Sequence, residues 1–149
     1  PSSSRVWIMR CAELLLMLAD RAQHVAEVIR PALERGAIVV CDRFEPSSLA
    51  YQGAARGLGV DEVERSSKWA AAGVEPDLVV VLDLPDAIAE DRVSADRDRF
   101  ERAGAELDDD VRAAYRELAP AHGWLVVDAA GTPEEVAARV LDAVAAVVP

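Results

Sequence analysis

The chain is short of the residues that build several common kinds of site. Two cysteines, Cys11 and Cys41, in 149 residues exclude a disulfide scaffold. Both sit in apolar runs and read as reduced core residues, as in a cytoplasmic protein. The two histidines, His24 and His122, are far apart and leave no zinc-ligand spacing, so no metal set is expected and His24 reads as a polar helix-face residue. There is no Gly-x-Ser-x-Gly elbow, no evident Cys–His pair, and no G-x-x-x-x-G-K-[S/T] loop: the single lysine, Lys68, follows a serine. Aromatic residues make up 5%, and Trp7, Trp69 and Trp124 read as packing residues. No apolar run approaches membrane-spanning length, and Pro1-Ser2-Ser3-Ser4 does not open a signal peptide.

Basic residues are also scarce. Lys+Arg number 16 against 27 Asp+Glu, a formal net charge of -11. That balance excludes sequence-independent nucleic-acid binding and disfavours anionic membrane surfaces. A small anionic ligand remains open, because a few local arginines suffice for one. What the chain does have is 52% hydrophobic and 29% charged residues, the composition of a packed domain. No repeat or low-complexity linker interrupts it, so residues 1–149 read as one domain.

Hydrophobic periodicity predicts a long helix from about Ala12 to Arg35, with Leu14, Leu18, Val25, Val28 and Ile29 on its apolar side. Pro31 is placed to kink or divide it, and Gly36 to stop it. Ala37–Cys41, Leu78–Leu82 and Trp124–Val127 are continuous apolar runs, the pattern of strands covered on both faces in a parallel sheet. Helical patterns lie between them, at Ser47–Ala55, Val60–Ala72, Pro85 to about Val93 and Gly104–Ala119. In the last helix Thr132, Pro133 and Glu135 spell an N-cap, a first-position proline and a capping box. Alternation of this kind predicts an open α/β layer structure. Each expected strand ends in an acidic residue, Asp42, Asp83 and Asp128, at the edge where such sheets bind ligands. Turn capping is the competing reading for Asp83 and Asp128.

Residues 42–53 read Asp-Arg-Phe-Glu-Pro-Ser-Ser-Leu-Ala-Tyr-Gln-Gly. The planar fork of Arg43, leaving the sheet edge, suits a phosphate monoester, although an Asp42–Arg43 surface pair would use the same two residues. Ser48, Tyr51 and Gln52 stand at i, i+3 and i+4 and share a helix face that can hydrogen-bond a base or sugar beside an aromatic ring. Gly53 to Gly59, with Arg56 inside, reads as a loop. Met17 and Arg21, one turn apart, could offer a soft apolar surface and a fixed cation to one planar ligand.

These residues, together with Ala12-Glu13-Leu14-Leu15-Leu16-Met17-Leu18-Ala19-Asp20-Arg21-Ala22-Gln23-His24, Pro76-Asp77-Leu78 and Asp98-Arg99-Phe100-Glu101, make the chain resemble the bacterial thymidylate kinase family from about Ala12 onward. The resemblance implies a P-loop-kinase-like open parallel sheet flanked by helices, and ATP-dependent phosphorylation of dTMP to dTDP with Mg²⁺. It implies that Arg43, with Asp42, holds the acceptor phosphate, that Arg21 reaches the thymine, and that Ser48 contacts the base. Tyr51 would pack beneath the deoxyribose where a 2′-hydroxyl would collide, with Gln52 beside it. Met17 stands where most members carry a stacking phenylalanine, which predicts looser base binding. It places a lid at about residues 91–103, with Arg92 and Arg97 as charge-neutralising arginines and Arg99 and Glu101 beside them. A self-neutralising solvated helix face is the other reading of that stretch. A homodimer is also implied.

The first strand, the P-loop and the second strand of such a fold would precede Pro1. The expectation is therefore a fragment or truncated product carrying acceptor site and lid, inactive alone, with exposed strand edges that make it marginally stable, self-associating or rearranged. A non-catalytic nucleotide-binding or interaction module derived from a nucleoside monophosphate kinase is the alternative, and a kinase for another monophosphate a third.

Overall fold

The computed structural model describes residues 3–85, 88 and 99–146, without the side chains of residue 3 and of 99–106. The chain divides into two compact units, residues 1–75 and 76–149.

The first unit is helical. Helix α1 spans Ser3–His24, so the helix begins well before Ala12. Leu14, Leu18 and Arg21 of α1 are buried, and Val25 and Ile29 just beyond it continue the stripe at helical spacing. From Val25 to Ile29 the backbone widens to a π-helical turn, and α2 continues as Arg30–Glu34. The cause is Pro31, whose ring collides with the carbonyl four residues back in a regular helix; the wider turn relieves that collision. Gly36, at φ 75°, ends the helix as expected.

The run 37–41 does not form a strand, which corrects the first of the three expected strands. A strand needs a laddered neighbour, and among the described residues of the first unit there is none. Val39 packs toward the cluster of Val25, Ile29 and Ala71, whereas Val40 is 93% exposed. Cys41 is exposed and Cys11 half-buried, both as free thiols, so neither is the core residue its apolar context suggested.

The helix expected at Ser47–Ala55 has two parts. Helix α3 covers Glu45–Ser48, with Pro46 in its first turn, and a π-helical segment runs through Leu49–Ala55. Arg56 N donates to Tyr51 O at 2.8 Å, closing the wide turn that includes the start of the expected Gly53–Gly59 loop. Gly53 allows a close approach there: a Cβ would stand 3.1 Å from Val60 Cα, tight enough that the backbone would have to give. Helix α4, Val60–Ala70, packs on this segment through Val63, which is fully buried.

The second unit carries the sheet. Strand β1, Val80–Asp83, pairs in parallel with β2, Leu125–Asp128, in the register Val80↔Leu125 to Asp83↔Asp128. Helix α5, Arg99–His122, lies between them in the chain and runs through Pro120, beyond the expected end at Ala119. A helix between parallel strands is the crossover that parallel pairing demands, and the fold class is α/β. Asp128 Oδ1 accepts from Ala130 N at 2.8 Å, which is turn capping, while Asp83 Oδ1 accepts from Arg116 Nε at 3.1 Å. The expected helix over Pro85–Val93 lies almost wholly outside the described residues.

Helix α6, Pro133–Ala145, has the capping box its sequence spells. Thr132 Oγ1 accepts from Glu135 N at 3.3 Å, and Glu135 Oε2 accepts from Thr132 N at 2.8 Å. Thr132→Ala removes one half of this exchange and is expected to cost about 1 kcal/mol, read as a lowered urea midpoint with unchanged slope.

Candidate functional site

Two stretches of the first unit face each other across a cleft of about 420 Å³, within the usual range for small-molecule sites. One wall is α1, which contributes Glu13, Met17, Asp20, Arg21 and His24. These positions recur at i, i+4, i+7, i+8 and i+11, one face of a helix. The other wall runs from Arg43 through Phe44, Ser47, Ser48, Tyr51 and Gln52. The wide π-helical turn brings Tyr51 and Gln52 to the same wall as Ser48.

Arg43 holds a left-handed backbone at φ 62°, unusual for a residue with a side chain. Its guanidinium carbon stands 5.1 Å from the Tyr51 ring centroid, a cation–π contact that aims the fork along the cleft wall. Strain of this kind, about 1–3 kcal/mol, persists where the surroundings impose it and clusters at ligand clamps.

Arg21 is buried and its donors are engaged. Nη1 donates to Ser67 Oγ at 3.0 Å, and Nη2 donates to Phe44 O at 3.0 Å and to Ser48 Oγ at 2.9 Å. The Phe44 ring lies 5.0 Å below its guanidinium carbon. Burial lowers the Arg21 pKa, opposed by Glu45, Cys41 and Asp20. The guanidinium is thus a fixed cation that reaches the cleft with its orientation already set.

Gln52 is buried and donates Nε2–H to Glu13 Oε1 at 2.8 Å. Met17, half exposed, lines the same wall as Arg21. Asp42 is exposed and does not line the cleft. Arg92 and Arg97 lie outside the described residues. Arg99 and Glu101 fall in α5, whose side chains there are not described. Among the described residues no three His, Cys, Asp or Glu converge on a metal-sized site, and no helix is long and apolar enough to cross a membrane.

Sequence reasoning missed Glu13, Asp20, Phe44, Ser47 and Ser67, and it gave His24 only to a polar face. The spacing of Glu13, Asp20 and His24 with Met17 and Arg21 held the signal for three of them. Ser67, fully buried in α4, leaves no trace beyond one hydroxyl in an apolar stripe with Val63 and Ala70.

Glu45 is buried just behind the cleft wall. Desolvation pushes its carboxyl above the ordinary range, with Lys68 opposing, Glu64 reinforcing and Arg21 opposing. A folded-state pKa above the unfolded one gives stability that is present at acid pH and lost as pH rises through the folded value. Glu45→Gln is therefore expected to flatten this loss. Its thermal midpoint should gain on the parent protein as pH climbs from the ordinary carboxylate range toward neutrality.

The geometry defines a class: an α/β protein with a cleft lined by two arginines, Arg21 and Arg43, and by the polar side chains of Ser48, Tyr51 and Gln52. The chain belongs to the thymidylate kinase family, whose profile matches residues 5–140. It is 50% identical over 133 residues to a thymidylate kinase of Leifsonia xyli subsp. xyli, covering 87% of this chain and 63% of that protein. It is 52% identical over 134 residues to one of Clavibacter michiganensis subsp. michiganensis, covering 87% and 64%. For the enzyme of Clavibacter sepedonicus the identity is 54% over 132 residues, covering 85% and 62%. The chain thus spans a little under two thirds of the length of these relatives.

Proposed function

We propose that this chain carries the dTMP-accepting part of a thymidylate kinase, in which the acceptor's phosphate receives a phosphoryl group from ATP. The observation that carries this reading is Arg43, held over Tyr51 at 5.1 Å in a cleft that also contains the pinned cation of Arg21. Arg43 binds two phosphate oxygens through parallel N–H donors. Tyr51 carries the sugar, and Arg21 with Ser48 meets the base. In line with P-loop phosphoryl transfer generally, Arg92 and Arg97 would neutralise charge on the migrating group, and Mg²⁺ accompanying ATP would supply further charge neutralisation.

This chain's own residues do not fit a triphosphate and its metal. The sequence has no G-x-x-x-x-G-K-[S/T], and the described residues gather no carboxylate cluster. The role of these residues is to bind and orient the acceptor. The exposed Leu15 and Leu16 of α1 support assembly with a second copy, and the reduced thiols of Cys11 and Cys41 support a cytoplasmic setting.

Calorimetric titration tests the reading. The chain should bind dTMP at one site and thymidine much more weakly, since thymidine has nothing for Arg43 to hold. Equal affinity for the two would remove the phosphate from the recognition, and with it this function.

A further inference from the structure

We propose that Glu13 is a positioning residue that sets which way the Gln52 amide faces, and through it the choice of base. The inference rests on the dTMP-acceptor reading and goes beyond it.

A primary amide has two unlike ends, one accepting and one donating, and rotation by half a turn exchanges them. An ionised carboxylate only accepts. Glu13 Oε1 stands 2.8 Å from Gln52 Nε2, so the donating end is committed to it. The carboxylate is itself held: its second oxygen, Oε2, pairs with Arg56 Nη2 at 3.3 Å. Arg56 is tied in turn, its backbone carbonyl accepting from Arg10 Nη1 at 2.7 Å. Glu13 therefore has its own anchor and does not depend on Gln52 for its place.

Gln52 is buried, lines the cleft, and its Oε1 accepts no hydrogen bond among the described residues. The consequence is a cleft wall that presents an acceptor. A ring that offers an N–H donor, such as the imide of thymine or uracil, matches that acceptor. Cytosine places a ring nitrogen lone pair at the equivalent position, and two acceptors face each other unpaired. A buried acceptor left unsatisfied costs more than a bond merely lost, which makes the mismatch a strong filter.

Glu13→Gln keeps the size of the side chain but lets position 13 donate as well as accept. Gln52 can then turn over without losing its partner. The dTMP-over-dCMP affinity ratio, read by calorimetry, is expected to fall about tenfold in this variant. Affinity for 2-deoxyribose 5-phosphate, which has no base, is expected to stay as in the parent protein. A purely structural role for Glu13 would weaken all three ligands together. An unchanged dTMP-to-dCMP ratio, or parallel loss of all three, overturns the proposal while leaving dTMP binding by the parent chain intact. Absence of dTMP binding by the parent chain overturns the acceptor reading and this inference with it. Should the variant fail to fold, nuclear magnetic resonance of the parent protein decides. One of the two Gln52 side-chain amide protons should exchange with solvent far more slowly than the other, and equal fast exchange of both overturns the proposal.

Discussion

Arg43→Ala is expected to lower dTMP affinity roughly a hundredfold, the loss of two charge-assisted hydrogen bonds to a phosphate after solvent compensation. Thymidine, with no phosphate, should bind the variant and the parent protein alike. The effect has to be separated from the backbone, since Arg43 sits at φ 62°. Alanine inherits that strain, but glycine does not. Arg43→Gly should therefore lose dTMP as completely as the alanine variant while its thermal midpoint holds or rises. The left-handed turn costs a residue with a side chain about 1–2 kcal/mol, which offsets the greater freedom of glycine in the unfolded chain. Affinity retained in either variant would mean that another group holds the anion. Arg43→Lys keeps the charge without the fork, and an intermediate affinity there would show that the paired geometry matters beyond the charge.

The largest stability effect is expected at Arg21. Arg21→Ala takes away three hydrogen bonds and leaves Ser67 Oγ, Ser48 Oγ and the Phe44 carbonyl without the donor that now satisfies them. Ser67 and Ser48 are buried, so water replaces the lost partner poorly. A cost of about 3 kcal/mol or more is expected, read by urea unfolding and by faster amide exchange in α1 and α4. Arg21→Lys should recover part of this, because an ammonium can reach some of these oxygens but cannot hold three fixed directions with a planar fork. Ser67→Ala should cost less, since the arginine keeps two of its three bonds. A loss at Arg21 no larger than that at Ser67 would show that the guanidinium is not the centre of this network.

Arg43, Ser48, Tyr51 and Gln52 could be found in the sequence because they are close in number, and local spacing is what a sequence displays well. Helices α4 and α6 were readable for the same reason: caps and apolar stripes are local. The parallel pair β1 and β2 was readable from two short β-branched runs. The run 37–41 is as continuously apolar as those two, with Ile38, Val39 and Val40 at its centre, yet forms no strand. Composition describes what a segment would bury, whereas a strand also needs a neighbour to bond. The π-helical turns were not readable. The first accompanies the collision at Pro31 and the second the close packing of Gly53 against Val60, and each is a matter of three-dimensional fit. Ser67 shows the same limit. It lies 46 residues from Arg21 in sequence, and nothing local announces that the two meet.

The unladdered run before Arg43 bears on affinity itself. Val39 and Phe44 anchor this stretch to the Val25, Ile29 and Ala71 cluster; between them Val40, Cys41 and Asp42 are exposed, and Arg43 rests on the Tyr51 ring. Where a clamp is competent for only a fraction of the time, the measured dissociation constant rises by the reciprocal of that fraction, and a tether with few protein contacts is where such a loss is expected. Osmolytes that favour compact backbones, such as trimethylamine N-oxide, should thus tighten nucleotide capture by this protein without touching a single contact in the cleft.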